Sequence, residues 1–220
     1  MTGSQNPNFD QVASIYDLSK GMLLCGAIQR CQYHHLPLLK NSKKILVIGG
    51  GTGKIISRIH QQCEFEELTF VDSSARMIEQ AIKHIKGYDP GLEQKIQFQN
   101  DDILSGFEAS GFDAVVAPFV LDCFTDESLA VIGENLRKWL KPNGLLLFSD
   151  FHESQKSNLS RMLSRLITRP LYFVLALTCD LNIKHLPDFE LMFDNLPLIK
   201  TEENLSFAGV LRSAVFRLDQ

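Results

Sequence analysis

The chain has 220 residues, a length that suits one large domain, and its 22 Lys and Arg against 26 Asp and Glu give a net charge of −4. Hydrophobic residues make up 45% and charged residues 22%, which excludes the composition of a disordered chain. The acidic balance, without a run of Lys or Arg, argues against a nucleic-acid partner. Five scattered cysteines without a CxxC pair predict free thiols in a reducing compartment.

The sequence gives no sign of export or of a membrane span. The first 20 residues are polar and lack the apolar core of a secretory signal. The longest apolar stretch, from Leu171 to Leu177, is much shorter than the roughly 20 residues that cross a bilayer. We therefore expect a cytoplasmic protein without an integral membrane segment.

Two helical segments are predicted before the first strand. Asp10 can cap a short helix that continues through Tyr16. Residues 22–35 place apolar side chains at spacings of three and four, as one helix face packed on a core requires, and Pro37 ends this segment. We assign residues 1–42 to an N-terminal helical segment.

From Lys43 onward, short apolar runs alternate with amphipathic segments. The predicted strands are residues 45–48, 68–71, 96–98, 112–117 and 145–149, and the predicted helices are residues 53–61, 75–86 and 127–140. This β-α-β-α order predicts an α/β fold with a doubly wound, mostly parallel sheet and ligands at the carboxyl ends of its strands. Two closing strands, at residues 198–207 and 211–218, complete seven.

The alternation of strands and helices ends after Asp150, where a helical cap is predicted over the cleft. We divide one domain, residues 1–220, into the N-terminal segment, a core at 43–152, the cap at 153–197 and closing strands at 198–220. An apolar cap of this kind would line an acceptor pocket, cover the sheet, or pair two copies of the chain as a homodimer. Its apolar residues are Leu171, Tyr172, Phe173, Leu175, Leu177, Leu191, Met192 and Phe193.

The strongest local signal is a buried strand that runs into a glycine turn, ILVIGGGTG at residues 45–53. Glycines suit a tight turn or a close ligand, and the helix that follows offers N–H groups to an anion. The phosphate-binding pattern GxxxxGK[ST] fails because its first glycine would be Ile48. The dinucleotide pattern GxGxxG meets Lys54 at its third glycine, which disfavours a nicotinamide-dependent oxidoreductase.

The pattern that remains is GxGxG, formed by Gly49, Gly51 and Gly53, with Asp72 at the end of the next strand. A carboxylate there can bind both hydroxyls of a ribose. This order, with LTFVDSSARMIEQA, resembles class I S-adenosylmethionine-dependent methyltransferases, and in character the small-molecule members such as quinone-precursor methyltransferases. KIQFQNDDIL, FDAVVAPFVLD and LKPNGLLLFSDF are similar to the family's later strand motifs, so the resemblance covers most of the chain.

The resemblance implies S-adenosyl-L-methionine as cofactor, S-adenosyl-L-homocysteine as product, and an antiparallel C-terminal hairpin at the sheet edge. It places the methionine part on the glycine turn, the ribose on Asp72 and the adenine against Asp102 and Ile103. Further cofactor contacts are implied for Tyr16, Gly49, Gly50, Gly51, Gly53, Ser73, Met77, Pro118 and Phe119. Val47 stands where the family commonly has an acid that helps to hold the cofactor's amino group.

The candidate catalytic residues follow the fourth and fifth strands: Asp122, Asp150 and His152. Methyl transfer is an in-line displacement, so a base is needed only when the acceptor loses a proton. His152 is the preferred base, because an imidazole with its ordinary pKa of about 6.5 exchanges protons near neutral pH. Capping or loop hydrogen bonds are the structural alternative for all three. No metal site is predicted, since the histidines lack companions at ligand spacing.

The sequence thus favours a cytoplasmic methyltransferase that acts on a small, apolar or aromatic acceptor. We place O-methylation of a phenol or carboxylate ahead of C- or N-methylation. The alternative is a non-catalytic module that binds S-adenosylmethionine and engages a protein partner through the apolar cap.

Overall fold

A computed structural model describes residues 26–105, 107–152 and 187–219, and a seven-stranded sheet with strand order β3-β2-β1-β4-β5-β7-β6 forms its centre. Strands β1 to β5 are parallel, whereas β7 runs antiparallel to both β5 and β6. The predicted fold class, with its antiparallel C-terminal hairpin, is therefore confirmed. The strands are β1 (Lys44–Ile48), β2 (Glu67–Asp72), β3 (Ile96–Asn100), β4 (Phe112–Pro118), β5 (Leu140–Phe151), β6 (Leu198–Ser206) and β7 (Leu211–Leu218).

Helices cover both faces of the sheet. They are α1 (residues 26–33), α2 (Lys54–His60), α3 (Ala75–Tyr88), α4 (Asp126–Trp139) and α5 (Phe189–Asp194). Helices α3 and α4 begin at N-caps of the expected kind, since Ser74 and Thr125 each accept a hydrogen bond from a backbone N–H three residues on. Short 3₁₀ turns occur at Leu36–Asn41, Leu92–Lys95, Leu121–Cys123 and Phe207–Gly209.

Successive side chains of each strand point to opposite faces of the sheet, and this divides the core into two layers. Leu46 of β1 and Val115 of β4 pack with α4 and α5 on one face. Val47 and Val116, one residue further along each strand, pack with α2 and α3 on the other face. Because both faces are covered, the central strands are apolar throughout, which is why they appear in the sequence as unbroken hydrophobic runs.

The N-terminal helical segment is described from residue 26 onward. Its helix α1 packs on the end of β5 and the start of β7, through Cys31 against Phe151 and Leu211. His35 follows in a turn and is buried, with Nε2 3.2 Å from the carbonyl oxygen of Ser213 and Nδ1 3.3 Å from Glu202. Burial lowers the pKa of His35, so the neutral ring bridges α1 to the hairpin.

Parts of the sequence prediction lie outside the described residues: the helix from Asp10 to Tyr16 and residues 153–186 of the cap with its apolar stretch. The described end of the cap is α5, where Met192 and Phe193 are buried against the sheet and Leu191 is exposed. No helix within the described segments is long and apolar enough to cross a bilayer.

Candidate active site

The candidate site lies along the edge where β1 to β5 end, because parallel strands bring their carboxyl ends to one side of a sheet. Three groups of residues meet there. The glycine turn follows β1, Asp72 ends β2, and the acidic and aromatic residues of the fourth and fifth strand motifs follow β4 and β5. The sequence-predicted residues therefore come from separate elements to one edge.

The glycine turn is fixed by both backbone conformation and close packing. Gly49, Gly51 and Gly53 have φ of 63°, 57° and 78°, in the left-handed region that favours glycine. A Cβ on Gly49 would lie 2.2 Å from Cγ2 of Val120, and one on Gly53 would lie 2.8 Å from Cα of Ala81. A Cβ on Gly51, in contrast, would meet no described atom within 4 Å. The turn therefore faces open space at Gly51, as a cradle for a ligand requires.

Asp72 connects the end of β2 to this turn. Its Oδ1 accepts the N–H of Ser74 at 2.9 Å, and its backbone oxygen accepts Nδ2 of Asn100 at 2.9 Å. Burial raises the pKa of Asp72, while hydrogen bonds from the N–H groups of Ser74 and Gly51 oppose the shift. The half-buried carboxylate is thus held beside the open position at Gly51.

The residues implied for the adenosine part lie at the starts of α3 and of the loop after β3. Ser73 is exposed, and Met77 is partly buried with its N–H 3.4 Å from Oγ of the capping Ser74. Asp102 is exposed and accepts the N–H of Leu104 at 2.9 Å. Ile103 is buried, and its carbonyl oxygen accepts Nδ2 of Asn135 at 3.2 Å, which ties this loop to α4.

The end of β4 is bent onto the glycine turn. Phe119 has a φ of 53°, which is unusual for a residue with a side chain, and its N–H donates to Ser149 at 2.7 Å. Its ring packs edge-on against Phe151 at 5.3 Å between centroids. This conformation follows the buried Pro118 and carries Val120 onto Gly49. Strain of this kind persists where the surrounding structure enforces it, often at ligand sites.

The three candidate catalytic residues lie on adjacent strand ends. Asp150 is completely buried, and its two carboxylate oxygens accept the N–H groups of Asp122 at 3.1 Å and Phe151 at 2.9 Å. Burial, with Asp122 close by, raises the pKa of Asp150 well above its usual range. Asp122 is also buried, whereas His152 is partly exposed, with its backbone N–H bound to Val210 at 2.8 Å. Only His152 of the three therefore lies at the surface of the site.

The cysteines of the described segments are free thiols, as predicted. Burial raises the pKa of Cys31 to about 12, which makes it a poor nucleophile. Cys123 is partly buried beside Asp122, and its Sγ donates to Oδ1 of that residue at 3.5 Å. Within the described residues no group of three or more His, Cys, Asp or Glu side chains could hold a metal ion.

Sequence reasoning missed a buried arginine at this edge. Arg212 of β7 pairs in register with Asp150 of β5 and makes ion pairs with Glu190 and Glu203. The available signal was an arginine near the start of the closing strand predicted at residues 211–218. Its partners lie on α5 and β6, however, so the sequence pattern alone does not reveal them.

Comparison with known proteins agrees with this geometry. Residues 46–146 match the model of a family described as "Methyltransferase domain". The malonyl-[acyl-carrier protein] O-methyltransferase of Halalkalibacterium halodurans is 31% identical over 157 residues, which are 66% of this chain and 53% of that protein. The highly reducing polyketide synthase sthA of Phaeosphaeria nodorum is 35% identical over 111 residues, 48% of this chain and 4% of the synthase. The chain thus spans about half the length of the O-methyltransferase and only a small part of the polyketide synthase.

Solved structures share the fold. The N-methyltransferase NodS from Bradyrhizobium japonicum, in complex with S-adenosyl-L-homocysteine, superimposes with a TM-score of 0.61 and 22% identity, over 87% of this chain and 86% of NodS. The mitomycin 7-O-methyltransferase MmcR superimposes with a TM-score of 0.66 and 15% identity, over 96% of this chain and 58% of MmcR. At these identities the likeness concerns the fold.

The sheet order and the glycine cradle with Asp72 agree with the domain match at residues 46–146. The chain therefore contains a region similar to the methyltransferase domain family, and it has the fold of class I S-adenosylmethionine-dependent methyltransferases. The domain match supports the predicted family, enzyme class and cofactor. The roles of individual site residues stay predictions, and Tyr16 lies outside the described residues.

Proposed function

We propose that this protein transfers a methyl group from S-adenosylmethionine to a small, apolar or aromatic acceptor. The observation that carries the proposal is the cradle at Gly51. Its neighbours Gly49 and Gly53 are packed against other residues, while Gly51 faces space free of described atoms beside the carboxylate of Asp72. The named activities of the relatives, on a malonyl group and on mitomycin, support an acceptor of small-molecule type.

In this proposal the cofactor lies along the ends of β1 to β4. The backbone from Gly49 to Gly53, including Gly50, holds the methionine part, and Asp72 accepts hydrogen bonds from the ribose hydroxyls. The loop of Asp102 and Ile103 meets the adenine. The remaining contacts are assigned to Ser73, Met77, Pro118, Phe119 and Tyr16.

When bound, S-adenosylmethionine supplies an electrophilic methyl carbon on sulfur, so the chain has to align the acceptor and exclude water. His152 follows β5 at the surface of the site, and we assign it the role of base for acceptors that lose a proton. Asp150 is buried and bound to backbone N–H groups, which suits a positioning role at the junction of β4 and β5. Asp122, its buried neighbour, is assigned to the same junction.

Val47 changes how the amino group of the cofactor is held. Its side chain is completely buried between the sheet and α2, where an acid would lose its hydration. We assign to the carbonyl oxygens of the glycine turn the role of accepting hydrogen bonds from that amino group.

The test begins with calorimetric titration of the purified protein with S-adenosylmethionine, S-adenosylhomocysteine and NADH. We expect micromolar dissociation constants for the two adenosyl ligands, equivalent to about −8 kcal/mol, and no binding of NADH. Transfer of a radiolabelled methyl group is then measured over a panel of phenols, carboxylic acids, keto-thioesters and amines. Cofactor binding without turnover on the whole panel would contradict the proposal and favour a non-catalytic module.

A further inference from the structure

Arg212 is a buried cation at the end of the sheet formed by the carboxyl ends of β4 and β5. It is the second residue of β7 and pairs in register with Asp150 of β5, so the two side chains leave the same face of the sheet. Because β7 runs antiparallel to β5, its first residues lie at the edge where β5 ends. The backbone of Arg212 is therefore beside the strand end that leads to His152, and its guanidinium is directed toward the rings of Phe148 and Phe193.

The guanidinium of Arg212 is 2% exposed and only partly satisfied. Its Nε donates to Oε1 of Glu203 at 2.8 Å, and its Nη1 donates to Glu190. The guanidinium carbon lies 5.8 Å and 6.0 Å from the ring centroids of Phe148 and Phe193. Nη2 is buried and has no hydrogen-bond partner in the parts of the chain that the structure describes.

A buried N–H donor without an acceptor is destabilising, and native proteins leave few of them. In the planar guanidinium of Arg212, Nε and Nη1 are held by carboxylates, and Nη2 remains as a donor without an acceptor among the described residues. A guanidinium held in this way loses little conformational entropy when it binds an oxygen atom. Nη2 of Arg212 is thus preorganised for a ligand oxygen.

The surrounding charge selects the kind of oxygen. One cation, Arg212, is paired with two carboxylates, Glu190 and Glu203. An anionic group would be repelled by this set, whereas a carbonyl oxygen accepts a hydrogen bond without adding charge. The local electrostatics therefore favour a neutral acceptor.

We propose, building on the function proposed above, that Nη2 of Arg212 binds a carbonyl oxygen of an uncharged acyl acceptor and positions it beside the cofactor. Arg212 is then the residue that selects among acceptors, while the glycine turn and Asp72 serve the cofactor. The two roles lie on different strands, which allows them to be tested separately.

The same guanidinium also ties α5 and β6 to β7, so the experiment has to separate acceptor binding from stability. Arg212→Met keeps the apolar contact with the aromatic rings and removes every donor. Arg212→Lys keeps the charge and removes the planar fork. Arg217→Met is the matched control, because Arg217 is an exposed arginine of the same strand.

The probes are the N-acetylcysteamine thioesters of acetoacetate, which is uncharged, and of malonate, which carries a carboxylate. Each is titrated calorimetrically into protein saturated with S-adenosylhomocysteine, and thermal midpoints are recorded for every variant. We expect the wild type to bind the acetoacetyl probe more tightly than the malonyl probe. Arg212→Met and Arg212→Lys should weaken binding of the acetoacetyl probe at least tenfold with unchanged affinity for S-adenosylhomocysteine, and Arg217→Met should change it less than threefold.

Three results would overturn the proposal: neither thioester binds to wild type that binds S-adenosylhomocysteine, the malonyl probe binds more tightly, or the Arg212 variants bind the acetoacetyl probe as the wild type does. If Arg212→Met does not fold, Arg212→Lys decides between these outcomes. A wild type that fails to bind S-adenosylhomocysteine would instead overturn the proposed function, and this inference with it.

Discussion

Val120 packs directly on Gly49, so the end of β4 and the glycine turn after β1 support each other. A methyl group on Gly49 would lie 2.2 Å from Val120, while the same change at Gly51 would meet no described atom within 4 Å. Both glycines have a positive φ, so alanine is strained at either position. Gly49 is therefore required for packing within the fold, whereas we expect Gly51 to be required for ligand binding.

Gly49→Ala is expected to destabilise the protein more than Gly51→Ala does. Overpacking typically costs about 1–3 kcal/mol, which lowers the thermal midpoint by several degrees in a chain of this size. Gly51→Ala should instead weaken S-adenosylhomocysteine binding with a smaller change in midpoint, because its Cβ enters the cradle. Thermal unfolding and calorimetry on both variants check this, and equal midpoints would contradict the packing argument.

Asp72→Ala is expected to weaken cofactor binding by about 2 kcal/mol, because a hydrogen bond to a charged group is worth roughly 1.5–3 kcal/mol. Asp102→Ala is the companion variant at the adenine end, where the exposed carboxylate should matter less. Dissociation constants of S-adenosylhomocysteine measured by calorimetry give the comparison. Unchanged affinity of Asp72→Ala would remove Asp72 from the ribose site.

The buried carboxyl of Asp150 should make stability depend on pH. Its pKa is raised in the folded state, so its contribution is fully present below the ordinary range of an aspartate and is lost as pH rises through the folded pKa. Asp150→Asn, which is neutral and similar in size, should therefore gain stability relative to the wild type as pH increases. Urea unfolding at several pH values from 5 to 8 measures this difference, and parallel curves would contradict it.

Asp113 is expected to make stability depend on pH in the opposite direction. Burial opposes ionisation of Asp113, but the ammonium of Lys141 and the backbone N–H groups of Lys44 and Lys43 outweigh it and lower its pKa. The stabilisation is present above the ordinary pKa of an aspartate and is lost as pH falls through the lowered value. Asp113→Asn should thus cost about 2 kcal/mol at pH 7 and progressively less below pH 4, as measured by urea unfolding.

The arrangement of the residues proposed to bind the cofactor was predictable because their signals are local in sequence. A buried strand, a glycine turn and an acid at the end of the next strand follow one another within residues 45–72, and the structure keeps them in contact. Strand β5 was predicted too short, at residues 145–149. The structure extends it from Leu140 to Phe151 across Pro142, because Leu140 still pairs with Phe112 of β4.

The surroundings of the residues proposed to contact the acceptor were less predictable, because their contacts join distant segments. The burial of Asp150 depends on the turn at Leu121–Cys123, whose backbone N–H groups it accepts. The environment of Arg212 depends on β6 and α5, which meet it only after the hairpin reverses the chain. Periodicity identifies strands but gives no register between them, so a charged residue in an apolar strand cannot be assigned its partners.

The reversal of β7 has a consequence for how this family can diversify. It returns Leu211 and Arg212 to the edge where β5 ends, whereas the glycine turn and Asp72 lie within residues 49–72. In the proposals made above, acceptor preference and cofactor binding therefore depend on separate stretches of the sequence. Exchange of the segment after residue 152 between family members is therefore a rational route to enzymes with new acceptors and the same methyl donor.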